Sequence, residues 1–508
     1  MTDFNTGEGV PRALVRLDGA TPLATYTPAD GSFEFGDLPA GAYYLTVSRA
    51  GYLTNTGRGI GRSSAPATLG PGSETTEINF RLSRSGVIGG QVIDEFGEPA
   101  PGIPIRVGKA LFADGRRRII PLGEGQPRTD DEGRFRVANL RPGRYYVWAS
   151  PDSGVPDVPV VGETPMVHVK TFAPGSQNPE TARVIDLGAG ERDLSVDITL
   201  ARGRPSSVSG VLTATDGAPL PGAIIHLAVY EGTASSQSMS GLKTVATDSE
   251  GRFLFRNVSP GSYVLMSYSR RHQDRLIAQA SIEVRDADIS DLVLRQAVTT
   301  LKVKFVSDET GLLQQADEWP WIMLIPDGPG PPVFQTDPIL NGIAPMGNVP
   351  PGRYWLKAAI LGGRVRQVLL DGTDVTDAPI DLREDASEAL LTIVLSSRLG
   401  SVSGTVVDDA GPYMSAMVVA FSTVPERWRL PGTRFVKVTV SGANGSFDLG
   451  GLPAGDYYVG VVPDFDETSY ELTQEIDPDV LERLRPSSST VSVSDGQATH
   501  VSLRVTSQ

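Results

Sequence analysis

The stretch "GSFEFGDLPAGAYYLTV" (Gly31–Val47) is written again as "GRFRVANLRPGRYYVWA" (133–149), "GRFLFRNVSPGSYVLMS" (251–267) and "GSFDLGGLPAGDYYVGV" (445–461). A worn fifth copy reads "NGIAPMGNVPPGRYWLKA" (341–358). The copies align on a turn glycine: Gly41, Gly143, Gly261, Gly352 and Gly455. Ten residues earlier stands another glycine: Gly31, Gly133, Gly251, Gly342 and Gly445. Two residues after the turn stands Tyr: Tyr43, Tyr145, Tyr263, Tyr354 and Tyr457. Phe33 and Phe35, two apart, are expected on one face of a strand, pointing into a core. The turn glycine supplies a positive φ. The Tyr opens the next strand and is expected to bond its hydroxyl to nearby backbone, as in a tyrosine corner. Every repeated feature therefore serves a hairpin.

Two further elements frame each copy. Ahead of it lies an alternating strand: Ile88, Gly90, Val92; Val208, Gly210, Leu212; Val402, Gly404, Val406; and, in the fourth unit, Leu301, Val303, Phe305. Behind it lies a closing strand: "INFRL" (78–82), "VDITL" (196–200), "LVL" (292–294), "LTIVL" (391–395) and "VSLRV" (501–505). Alternation of this kind marks half-buried strands. The repeating unit is thus a domain of roughly 85–120 residues, the size of a seven-strand sandwich, and too long for a solenoid repeat. Five β-sandwich units are expected: 1–84, 85–203, 204–297, 298–398 and 399–508. The second carries a long insertion, "PDSGVPDVPVVGETPMVHVKTFAPGSQNPETARV", and the fourth is divergent. The fifth carries a short helix in "EIDPDVLERLRP", with Asp477 as N-cap and Pro478 at its first position. Very short joints such as "SRSG" and "SRLG" point to a semi-rigid string. Aligning Gly7 with Gly97 leaves the first unit without most of its opening strand, so an open sheet edge and an upstream segment with a signal peptide are expected.

Bulk properties narrow the function classes. The 508-residue chain is 40% hydrophobic, enough for several small cores. Its net charge of −15 argues against nucleic acid and anionic membrane surfaces as partners. It has no Cys, hence no disulfide framework and no thiolate metal site. No apolar run approaches the length of a membrane span, and the given start has no signal-peptide pattern.

The run G-x-V-x-D-x-x-G-x-P-x-P-G-x-x-I-x-V, read at Gly90–Val107, followed by T-D-x-x-G-x-F-x-x-x-x-L-x-P-G-x-Y-x-V at Thr129–Val147, resembles the carboxypeptidase regulatory-like domain. Units two, three and five match best. The resemblance implies an all-β chain of transthyretin-like, Greek-key sandwiches related to starch-binding-like folds. It implies a non-catalytic role in secreted or cell-surface bacterial proteins, including peptidases and TonB-dependent receptors. An extracytoplasmic location follows from the resemblance alone.

Residues that carry chemistry are sparse. The four His (His168, His226, His272, His500) form no H-x-x-E or H-E-x-x-H pattern, and no G-x-S-x-G elbow occurs. No catalytic residue, cofactor or metal is therefore expected. The acidic clusters Asp371, Asp374, Asp377 and Asp130, Asp131, Glu132 read as turn caps rather than calcium ligands. Flat aromatic faces would suit sugar rings. Trp319 and Trp321 share one strand face, but Met323 and Ile325 continue it as a core face would. Trp428, in the loop-like "VPERWRLPG", is the better exposed candidate. The expected role is a binding module for a neutral polysaccharide or another cell-surface polymer. A spacer or protein-interaction ectodomain is the first alternative. The second is an accessory part of a longer secreted peptidase or TonB-dependent receptor.

Overall fold

The computed structural model describes the chain apart from residues 5, 20, 54–63, 71–77, 124–126, 152–165, 232, 234–238, 269–275, 297–298, 308–320, 329, 335–342, 360–363, 384–387, 410, 414–415, 443, 463–466 and 506–508. Among the described residues the fold is all-β, with ten of its sheets arranged as five pairs along the chain, each pair closing on its own apolar cluster. Two compact units result: Met1–Ala110 with Pro121–Asp152 and His168–Arg202, and Gly203–Gln508 with Leu111–Ile120 and Ser153–Val167.

The third sandwich shows the plan. Its opening strand Ser206–Thr213 lies between Arg252–Val258, antiparallel, and the closing strand Ile289–Arg295, parallel. The facing sheet runs Met239–Ala246, Ile224–Tyr230, Gly261–Tyr268, Leu276–Val284. The fifth repeats it, with Gly400–Asp408 between Ser446–Leu452 and Ala498–Arg504. The fourth places Thr299–Ser307 between Ile343–Val349 and Glu388–Ser396.

The two repeated glycines do different work. Gly143, Gly261, Gly352 and Gly455 adopt φ of +148° to +155°, and Gly41 alone among the turn glycines lacks a positive φ. The upstream glycines Gly31, Gly133, Gly251 and Gly445 sit in the left-handed region at +71° to +75°. A Cβ on any of them would overlap the backbone carbonyl oxygen of Met1, Val92, Leu212 or Val406, respectively. The frame glycine is therefore a close-approach position as well as a turn position. All five Tyr corners form: the hydroxyls of Tyr43, Tyr145, Tyr263, Tyr354 and Tyr457 donate to the carbonyl four residues earlier at 2.6–2.9 Å. A hydroxyl four residues before the frame glycine forms a further clamp, which the sequence reading did not identify. Thr129 Oγ1 donates to Ala100 O (2.6 Å) and accepts from Ile103 N (2.9 Å). Thr27, Thr247 and Ser441 do the same in their own sandwiches.

Burial pushes the Tyr263 phenol up to about 12. It also raises Tyr354 and Tyr457; at Tyr457 burial is the main cause, opposed by Arg427 and Arg434. For an acid raised on folding, the neutral form is the stabilised one. Its contribution is whole below the unfolded value near pH ~10 and is lost as pH rises through the folded value. We expect the third sandwich to lose stability between pH ~10 and ~12, and the fourth and fifth to lose theirs as pH rises above ~10, with the buried part of the tyrosinate absorbance at 295 nm rising only as the β circular-dichroism signal falls. Ordinary titration near pH ~10 with unchanged dichroism would contradict this.

The worn fourth copy has a steric explanation. Gly90, Gly210 and Gly404 of the opening strands pair across the sheet with Phe135, Phe253 and Phe447. At the same register in the fourth sandwich, Val303 pairs with Ala344. The large side chain has moved to the neighbouring strand, and Val303 and Ala344 are both fully buried. The core volume is filled from the other side.

The first copy departs from expectation. Residues 32–38 are irregular rather than strand, and Phe33 and Phe35 are half-buried. In the other copies this segment pairs with the opening strand; here that strand is Thr2–Asp3, which pairs parallel with Arg81–Leu82. The Met1 amino group donates to Gly31 O at 2.8 Å, as Val92 N does to Gly133 O. Met1 thus takes the place of Val92. The Gly7–Gly97 alignment was one residue short, because the first turn is one residue longer.

The helix Pro478–Leu484 forms as expected, with the Asp477 carboxylate accepting from Asp479 N at 2.9 Å. A second helix, Glu467–Thr473, was not anticipated. Within the second unit, Arg117 pairs with Asp477 (2.6 Å) and Asp479 (2.5 Å) across 360 residues of sequence or more. The semi-rigid string expected from the short joints does not by itself predict such a contact.

Candidate functional site

Trp428 is not an exposed loop residue. It lies in a short 3-10 turn, Pro425–Arg429, and is 2% exposed. Its ring packs edge-on against Phe421 at 5.3 Å, and its Nε1–H donates to Ser422 O at 2.6 Å. It anchors a satellite cluster with Ile476, Leu481 and Leu484 under the helix Pro478–Leu484. The "VPERWRLPG" stretch looked like a loop because its Pro residues hid a turn folded over apolar neighbours. Trp148 is buried too, at 1%.

Trp319 lies outside the described residues. Trp321 begins the strand Trp321–Pro326 and is 40% exposed. Met323 and Ile325, on the same face, are buried in a small cluster with Phe334 and Trp355 outside the main core. Trp321 lies at the border of this cluster, tilted against Phe334 at 6.1 Å. Part of its ring stays exposed, a surface of a kind that could stack on a planar or sugar-like ligand.

The acidic clusters are engaged in local structure. Asp130 accepts from Glu132 N and Arg134 N, which closes the turn before the Phe135 strand. Asp371 accepts from Leu390 N, Asp374 accepts from Thr376 N and Gln367, and Asp377 forms a two-toothed pair with Arg434 at 2.8 and 2.9 Å. Among the described residues no group of three or more His, Asp or Glu is placed to hold a metal ion. His168 contacts Glu95 at 2.8 Å. His226 bonds Thr244 on the neighbouring strand, and burial lowers its pKa. His272 lies outside the described residues. No helix among the described residues is long and apolar enough to cross a membrane.

Residues 2–83 match the model of the carboxypeptidase regulatory-like domain. Over 299 residues the chain is 27% identical to the human BOS complex subunit NOMO3, covering 57% of this chain and 20% of that protein. Mouse BOS complex subunit NOMO1 is 26% identical over the same length and the same shares. The chain thus spans about a fifth of the length of these curated relatives. Among solved structures, the Bacillus anthracis TIE protein aligns over 80% of this chain and 68% of its own, at 11% identity and a TM-score of 0.15. A streptococcal ancillary pilin aligns over 60% of this chain and 100% of its own, at 15% identity and a TM-score of 0.20.

Proposed function

We propose that the chain is a non-catalytic, extracytoplasmic interaction scaffold of five sandwiches, divided as 1–84, 85–203, 204–297, 298–398 and 399–508, that engages protein partners. One observation carries this reading: the residues repeated from copy to copy are consumed by backbone roles. The frame glycines, corner tyrosines and hydroxyl clamps hold the fold, so recognition falls to the side chains that differ between copies. The relatives named as subunits of a complex support protein partners. Exposed apolar side chains such as Phe96, 79% exposed, and Tyr26, 67% exposed, supply contact points of the kind enriched at interfaces.

A second reading, binding of a neutral polysaccharide, keeps only Trp321 and Trp319 of its three candidate residues, because Trp428 is buried. The acidic net charge favours neutral over uronic or sulfated chains. The test uses the whole chain. A photo-crosslinking residue at Phe96, placed in the source cells, is expected to give one discrete protein adduct that a neighbouring control position does not. A panel of soluble neutral polysaccharides is expected to leave Trp fluorescence unchanged. Saturable quenching that Trp321→Ala abolishes would replace the scaffold reading with the polysaccharide one.

A further inference from the structure

Within the second unit, a cleft of about 510 Å³ lies between the fourth and fifth sandwiches. Trp355 and Leu430 contribute apolar wall, and four cations, Lys357, Arg364, Arg434 and Lys437, line it with only two carboxylates, Asp377 and Glu475. This is a local excess of positive charge in a chain of net charge −15.

Both carboxylates are engaged. Asp377 holds Arg434, which also donates to Arg366 O at 2.9 Å. Glu475 accepts from Gly432 N at 3.2 Å and from Gly115 N at 3.5 Å. Burial raises the Glu475 pKa, opposed by those two bonds and by the charges of Lys357 and Arg118. Lys437 differs. Its ammonium has no hydrogen-bond or ion-pair partner among the described residues, and the charges that act on it are those of Arg364, Arg434 and Lys357. Burial, then these like charges, push its pKa down; burial also lowers Lys357. Arg364 reaches the cleft across Gly451, where a Cβ would come within 2.9 Å of its Cγ. The missing side chain at Gly451 leaves room for that arginine stem.

Like charges gathered in a partly desolvated cleft oppose one another, and an anion seated among them removes the repulsion. We propose that this cleft binds a small organic anion, its carboxylate or phosphate head on Lys437 between Lys357 and Arg364 and its apolar body against Trp355 and Leu430. The competing account is purely architectural. Val436–Val440 is the outer strand of its sheet, and a charge on an edge strand blocks pairing with another chain; it requires no ligand.

The whole chain is titrated calorimetrically at neutral pH and low salt with phenyl phosphate, phenylacetate, inorganic phosphate and neutral benzyl alcohol. Saturable binding of phenyl phosphate or phenylacetate is expected, tighter than inorganic phosphate, with none for the alcohol. Lys437→Met is expected to weaken it at least about tenfold, and Lys437→Arg to retain it. Dichroism and thermal melting check that both variants are folded, and Lys357→Met is a second variant expected to weaken binding if Lys437→Met does not fold. Phenyl phosphate should raise the melting temperature of the wild type and not of Lys437→Met. Inorganic phosphate binding as tightly as the organic anions, no saturable binding of either organic anion, or binding unchanged in folded Lys437→Met would each overturn the proposal.

Discussion

Replacing Gly133 by Ala is expected to unfold the second sandwich, at a cost of at least ~3 kcal/mol. Two penalties combine. The residue sits at φ +71°, where a Cβ strains the backbone. That Cβ would also overlap the carbonyl oxygen of Val92 and lie 3.0 Å from Ala100 N. Both atoms belong to backbone that is itself hydrogen-bonded: Val92 N donates to Gly133 O at 2.8 Å, and Ala100 N to Val92 O at 3.0 Å. Neither can retreat without breaking the pairing of the opening strand. Gly97→Ala separates the two terms. Gly97 has φ +84°, and a Cβ there would meet nothing within 4 Å, so it carries the conformational penalty alone, ~1–2 kcal/mol. At Gly143, φ is +148° and the nearest atom is the flexible Lys109 ammonium at 3.2 Å; a valine there should cost ~1–3 kcal/mol. Chemical denaturation followed by Trp148 fluorescence orders the three. If Gly133→Ala and Gly97→Ala prove equally stable, the close approach to Val92 is not what fixes the frame glycine.

The second large effect is expected in the fifth sandwich. Gly404 and Phe447 are cross-strand partners, and a Cβ on Gly404 would lie 3.0 Å from Phe447 Cζ and overlap Val501 O. Gly404→Val should therefore be severely destabilising, and Phe447→Ala should cost ~3–5 kcal/mol for its cavity. The double variant reproduces the Val303–Ala344 pair of the fourth sandwich, where the closing strand also runs in unbroken parallel register. It should recover at least ~1 kcal/mol relative to the sum of the single variants. Strict additivity would show that the two strands do not share one volume, and that the fourth copy lost its Phe for another reason.

The five-fold frame was legible because it is local: glycines, turn residues and tyrosines act on backbone within a few residues of themselves. The same locality made the helix at Asp477 and Pro478 readable, and the alternation of Ile88 with Val92 or of Val402 with Val406 placed the cores. Reading failed where a residue's setting depends on distant chain. Trp428 looked exposed because nothing in "VPERWRLPG" announces that Phe421 and the helix Pro478–Leu484 close over it. Phe33 and Phe35 carry a strand pattern, but a strand needs a neighbour to bond, and here the opening strand is only Thr2–Asp3. Lys437, two residues after Phe435 and so on the same strand face, is a misplaced charge, and that is the signal the sequence carries for it. Its cationic neighbours Lys357 and Arg364 come from another sandwich, and Arg117 meets Asp477 across 360 residues. Sequence by itself determined the repeated sandwich, because hairpin and core preferences are short-range and periodic. Only the tertiary structure decided where charge and aromatic surface collect, because those sites are made by packing one sandwich's variable side chains against another's.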